Sequence, residues 1–182
     1  AVLIRLPLGA YQTLDHDEWY TIDVINRDIG SMHQQMLDDV HVPLYFYLAK
    51  GVQSIAGVSP FWLTMLSVLL GIAGFLLFVK LVYEFYPRKI ALLTSAFLAV
   101  SGFHIVYSQR LRMYSLLFLL SVASLYWMHT FVRQKPTRTV WIGYTITTLA
   151  IIYTHIFGVF VVTAQLAIFA LVKRPKIKDF II

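Results

Sequence analysis

FWLTMLSVLLGIAGFLLFV, residues 61–79, runs for nineteen residues without a charged side chain. A helix rises about 1.5 Å per residue, so roughly 20 apolar residues cross the hydrocarbon core of a bilayer. The stretch therefore reads as a membrane-crossing helix. Four further apolar runs follow it: IALLTSAFLAVSGFHIV (90–106), MYSLLFLLSVASLYWMHTFV (113–132), TVWIGYTITTLAIIYT (139–154) and IFGVFVVTAQLAIFALV (156–172). The last two are nearly contiguous, which predicts a tight helical hairpin around residues 153–158.

These runs are continuously apolar, whereas the strands of a membrane barrel alternate over about ten residues, so helices are expected. The fold class is all-α: a polytopic transmembrane helical bundle of about five crossings over residues 59–182, with an external cap over residues 1–58. Composition agrees, since 59% of the 182 residues are hydrophobic and only 13% charged. A mean hydropathy of +0.72 is far too apolar for a water-soluble domain of this length. No internal repeat or low-complexity stretch is present. The absence of cysteine removes disulfides, thiolate metal sites and cysteine nucleophiles together. The opening AVLI has neither a basic leader nor a cleavage pattern, so it reads as the tail of an earlier crossing rather than a signal peptide.

Positive residues collect in cytoplasmic loops. If the segment before Phe61 lies outside, the inner set is Lys80, Arg88, Lys89, Arg133, Lys135, Arg138, Lys173, Arg174, Lys176 and Lys178, ten of the fifteen Lys and Arg residues. Arg5, Arg27, Lys50, Arg110 and Arg112 are then outside. The net charge of +6 thus faces anionic lipid at the ends of crossings, and nucleic acid is not an expected partner. The protein is expected to be integral and multi-pass, in the plasma membrane or its equivalent.

Seven of the nine acidic residues, Asp15, Asp17, Glu18, Asp23, Asp28, Asp38 and Asp39, fall in the external segment, with His16, His33 and His41. Chemistry is expected there. LDHDEWYTIDVINRD predicts a helix starting near Asp15, with Trp19, Ile22, Ile25 and Ile29 at helical spacing. Asp15 followed by Glu18 fits a capping box, a purely structural role. Asp17 and Glu18 sit about 100° apart around a helix, so at most one serves as a base. In HVPLYFYLAK, Pro43 suits a first helical turn, and Tyr45, Phe46 and Tyr47 suit anchors of a helix lying in the membrane interface. Arg110 and Arg112 fall at the outer end of a crossing, beside the acidic cap. An arginine fork matches phosphate oxygens, and snorkelling to headgroups or pairing with a cap carboxylate are the structural alternatives.

HVPLYFYLAK, FHIVYSQRLRMYSLLFLLSVASLYWM and IIYTHIFGVFVVTAQ, in that order and after an external Asp-Glu, resemble membrane glycosyltransferases of the GT-C superfamily, in the dolichyl-phosphate-mannose protein mannosyltransferase-like branch. The resemblance implies transfer of a sugar from a polyprenyl-phosphate carrier to an acceptor on a glycan, lipid or protein at the external face. By family match the base is Asp17, with Glu18 beside it positioning the acceptor or a cation. Arg112 matches the family's arginine, Arg110 stands next to it, and Tyr107, Gln109 and Tyr114 line the same turn. His41 and His155 are further hydrogen-bonding candidates without metal-ligand spacing. No cofactor is specified, and a divalent cation stays open, because oxygen-ligated magnesium or manganese leaves little trace in sequence.

Two departures stand out. Where the family often has Glu in Y-S-Q-E-A-R, this chain has Arg110, which reverses the local charge, and Val42 replaces a proline. The resemblance also implies later crossings beyond RPKIKDFII. These points keep a second reading alive, a non-catalytic GT-C-like subunit acting as a scaffold among other membrane subunits. A transporter fits less well, because the polar residues of the crossings are mostly small, such as Ser67, Thr94 and Thr163, which helix packing explains.

Overall fold

The computed structural model describes residues 14–39, 41–133 and 137–173, which form nine α-helices and no strand. Three short helices make the cap: α1 (His16–Asn26), α2 (Ile29–Asp38) and α3 (Leu44–Ala56). Six make the bundle: α4 (Pro60–Phe85), α5 (Arg88–Val100), α6 (Gly102–Ser108), α7 (Tyr114–Arg133), α8 (Arg138–Ile152) and α9 (Gly158–Lys173). Local chemistry sets the boundaries. Asp15 and Glu18 form the expected capping box, Asp28 caps α2, and Pro60 opens α4 where its missing N–H costs nothing.

The cap is welded to the bundle. One buried cluster takes Ile22, Val24 and Ile25 from α1, Met32 and Met36 from α2, Tyr45, Phe46 and Ala49 from α3, Leu63 from α4, Leu111 and Met113 from the turn before α7, and Leu116 from α7. Lys50 strengthens the joint by donating to the carbonyls of Ile25 and Arg27, both at 2.6 Å, where the C-terminus of α1 presents free acceptors. The apolar face differs from the expected one. Ile22 and Ile25 are buried, but Trp19 is exposed, and Ile29 belongs to α2 because the chain turns at Arg27. Tyr45 and Phe46 are core residues rather than interfacial anchors; only Tyr47 stays exposed, with its hydroxyl 3.2 Å from His33 Nδ1.

In the bundle, α4 lies against α6 and α7, and glycine makes both approaches possible. A Cβ on Gly71 would come 2.6 Å from Ser108 Oγ, and one on Gly74 would come 2.7 Å from Phe118 Cδ1. Close contact over small residues is how helices associate where burial of apolar surface gives no advantage over lipid. Helices α4, of 26 residues, and α7, of 20, are long and apolar enough to cross a membrane. The run 90–106 is not one straight helix: α5 and α6 meet at 56° and make a third candidate span only if counted together. Ser101 causes the break, with an extended backbone (ψ 112°) and a hydroxyl that caps α6 by accepting from the His104 amide at 3.4 Å. Helices α8 and α9, of 15 and 16 residues, are shorter than the roughly 20 residues of a full crossing. The predicted hairpin between them is present, with residues 153–157 as its turn.

The end of the bundle away from the cap carries its own polar pairs. Lys80 Nζ donates to the Tyr126 hydroxyl at 3.0 Å, and His129 Nε2 lies 3.8 Å from Glu84 Oε2. Arg5, Lys135, Arg174, Lys176 and Lys178 of the charge reading lie outside the described residues.

Candidate functional site

Four pieces of chain converge where the cap meets the bundle: the start of α1, the turn 109–113 between α6 and α7, the residues leading into α3, and the turn 153–157. Glu18 is the joint between the first two. It is buried; its Oε1 accepts from the Leu111 amide at 2.8 Å and its Oε2 from the Asp15 amide at 3.1 Å. Both oxygens are therefore engaged by backbone. Asp15, besides accepting from the Glu18 amide at 3.0 Å, is ion-paired with Arg110. One of the two arginines thus answers to the cap itself.

Arg112 is placed differently. It is buried at 8% exposure, and its Nη1 donates to the Asp17 carbonyl at 3.2 Å and to Thr21 Oγ1 at 3.3 Å. Its Nη2 stands 3.8 Å from Asp17 Oδ2, while the Asp17 side chain is 63% exposed. The Nε–H of Arg112 is buried with no hydrogen-bond partner among the described residues. A buried guanidinium with a spare donor beside an open carboxylate is a costly arrangement unless something uses it. From below, Ser67 Oγ holds the Arg112 carbonyl at 3.5 Å and the Tyr45 hydroxyl at 2.8 Å. Burial drives the Tyr45 phenol well above its ordinary range.

The amide of Leu44, the first residue of α3, donates to the Tyr153 carbonyl at 2.9 Å and so fastens the 153–157 turn to the cap. His155 in that turn accepts the Phe157 amide on Nδ1 at 3.1 Å, and its ring centroid lies 6.0 Å from that of Tyr114. Burial lowers its pKa first, and the charges of Arg112 and His41 lower it further. His41 stacks on Tyr20 at 5.0 Å and has its Nδ1 3.0 Å from the Asp39 carbonyl. Tyr20 in turn donates to Asp39 Oδ2 at 2.6 Å. Gln109 closes α6, its amide donating to the Val106 carbonyl at 3.0 Å. Tyr107 and Tyr114 meet edge to face at 4.8 Å. Both line an apolar groove of about 450 Å³ whose walls also include His104, Phe118 and Val161.

The structure thus brings Asp17, Glu18, Arg110 and Arg112 into one cluster. Tyr107, Tyr114 and His155 share an adjoining rim, and His41 sits on the Tyr20 side. Among the described residues no three His, Asp or Glu side chains gather in a way that could hold a metal ion. Asp15, Thr21, Ser67 and Tyr45 are members that sequence reasoning missed. Thr21 had a signal, because four residues after Asp17 is one helical turn; Ser67 and Tyr45 had none.

Over residues 40–182 the sequence matches the family described as dolichyl-phosphate-mannose-protein mannosyltransferase. The chain belongs to that family. It is an integral membrane protein of a GT-C glycosyltransferase type. No curated protein and no solved structure matches it. The family match covers α3, the bundle and the turns bearing Arg112 and His155, and starts after α1 and α2, so Asp17 and Glu18 lie ahead of it.

Proposed function

We propose that the protein transfers a sugar from a polyprenyl-phosphate carrier to an acceptor hydroxyl at the non-cytoplasmic membrane face, with Asp17 as general base. The observation that carries this reading is the pairing of an open carboxylate with a buried guanidinium, Asp17 Oδ2 and Arg112 Nη2 at 3.8 Å, with Arg112 two residues before Tyr114, which lines an apolar groove. In the reaction the acceptor O–H gives its proton to Asp17 as its oxygen attacks the anomeric carbon. The bond from that carbon to the phosphate oxygen breaks, and the electron pair stays on the phosphate. Arg112, with Nε–H to spare, stabilises the charge that grows there. The groove beside Tyr107 and Tyr114 suits the isoprenoid tail. Glu18 has both oxygens committed, so it is a positioning residue that fixes the 109–113 turn against α1.

The test is transfer from a polyprenyl-phosphate sugar by membranes containing the protein. Asp17→Asn is expected to lower the rate by about 100-fold or more without changing the amount of folded protein. Wild-type rates in that variant overturn the assignment. One observation favours a second reading, a non-catalytic subunit: Arg110 stands where the family motif carries Glu and is occupied by Asp15. That reading gains if the protein copurifies at fixed stoichiometry with a larger complex whose function survives both Asp17→Asn and Arg112→Gln.

A further inference from the structure

We propose that His155 serves this site as an uncharged hydrogen-bond donor, presenting Nε2–H to an oxygen of the carrier's phosphate, rather than as a cation or a proton donor. The inference rests on the transferase reading and adds to it a defined tautomer. The Phe157 amide donates to Nδ1 at 3.1 Å, which requires a lone pair on that nitrogen. The ring hydrogen is therefore on Nε2. A second proton would have to enter at Nδ1, where it would meet the amide hydrogen head-on and break the turn that leads into α9. Among the described residues Nε2 has no hydrogen-bond partner.

The groups facing the ring from each neighbouring segment act in the same direction. Arg112 comes from the 109–113 turn, His41 from the lead into α3, and the uncharged Tyr114 from α7. Burial and the two nearby cationic or potentially cationic side chains depress the His155 pKa, in keeping with an imidazole that stays neutral. The fixed positive charge for a phosphate already comes from Arg112. A neutral donor adds a directed hydrogen bond without a second buried cation to repel the first.

The experiment uses the full chain in detergent micelles, titrated calorimetrically with a prenyl methyl phosphodiester. That probe keeps one negative charge throughout the pH range and brings no titrating proton. His155→Gln places an amide N–H near the position of Nε2, whereas His155→Asn keeps an acceptor near Nδ1 for Phe157 but has no donor near Nε2. The expected result is wild-type affinity within about twofold for His155→Gln and a loss of about tenfold or more for His155→Asn, the effect of one hydrogen bond from a neutral donor to an ionised acceptor. The ratio between wild type and His155→Gln stays constant from pH 8 to pH 5.5. If wild type gains over His155→Gln as the pH falls, the ring is charged when it binds, and the proposal is overturned. Wild-type affinity in His155→Asn overturns it equally, while leaving the transferase reading in place. If wild type does not bind the diester at all, both fall together.

Discussion

Glu18 separates catalytic placement from structural placement at the scale of single residues. Its neighbour Asp17 has an exposed carboxylate, but Glu18 is buried between two amide donors. Glu18→Gln turns one acceptor into a donor aimed at an amide, which is expected to cost about 1–3 kcal/mol of stability. Thermal unfolding in micelles checks this; an unchanged Tm with turnover abolished would instead make Glu18 the base. Half of this arrangement was legible beforehand. The Asp15–Glu18 box is a local pattern with a spacing of three and reads directly from sequence, whereas the place of Thr21, one helical turn after Asp17, is a signal that sequence reasoning did not use. The Leu111 contact spans 93 residues, and no local pattern announces a tertiary hydrogen bond of that kind. Pairing with a cap carboxylate is one of the alternatives the sequence offers for both arginines, but which acid meets which arginine is a tertiary matter: Arg110 pairs with Asp15, and Arg112 keeps an idle donor.

Helix contacts in the bundle are set by what glycine leaves out. Gly71→Ala would drive a Cβ to 2.6 Å from Ser108 Oγ and 2.8 Å from Ser108 Cβ, on a short helix that leads straight to the Arg112 turn. A loss of about 1–3 kcal/mol is expected, as for overpacking in general, and Ser108→Gly in the same chain should restore most of it. Unfolding of the single and double variants provides the cycle, and equal losses in both would show that the clash is not the cause. In the cap, Tyr20 and Gln35 donate to Asp39 and hold its carboxyl below its ordinary pKa. A depressed carboxyl stabilises the fold above its unfolded pKa, near 4, and that contribution is lost as the pH falls through the lower folded value. Tyr20→Phe removes the largest cause, so acid unfolding followed by circular dichroism should begin at a higher pH. Hydropathy located the elements well, including the 153–157 hairpin, but it counts residues and is blind to direction. It therefore joined α5 to α6 across Ser101. The aromatic run at 45–47 misled for a related reason, because an interfacial anchor and a core ring have the same composition, and it is packing into the cluster shared with α1, α2, α4 and the 109–113 turn that buries Tyr45 and Phe46.

Charge divides the whole molecule into two ends. The cap end carries Asp15, Asp17, Glu18, Asp23, Asp28, Asp38 and Asp39 with Arg27, Lys50, Arg110 and Arg112. The helices then run to a far end marked by Lys80, Arg88, Lys89, Arg133, Arg138 and Lys173, with Glu84 as its acidic member among the described residues. Chain direction enforces this separation: α4 leaves the cap and ends at Phe85, α7 leaves the Arg112 turn and ends at Arg133, and α9 leaves the His155 turn and ends at Lys173. Under the positive-inside rule the far end belongs in the cytoplasm and the proposed site outside. The chain contains no cysteine, so a single introduced thiol reports its own side without background. Asp23 on α1 and Lys89 on α5 are both exposed, which removes burial as a reason for any difference between them. In intact cells a membrane-impermeant maleimide is expected to label Asp23→Cys at once and Lys89→Cys only after permeabilisation. Labelling in the reverse order would put Asp17 and Arg112 on the cytoplasmic face and withdraw the external acceptor from the proposed reaction.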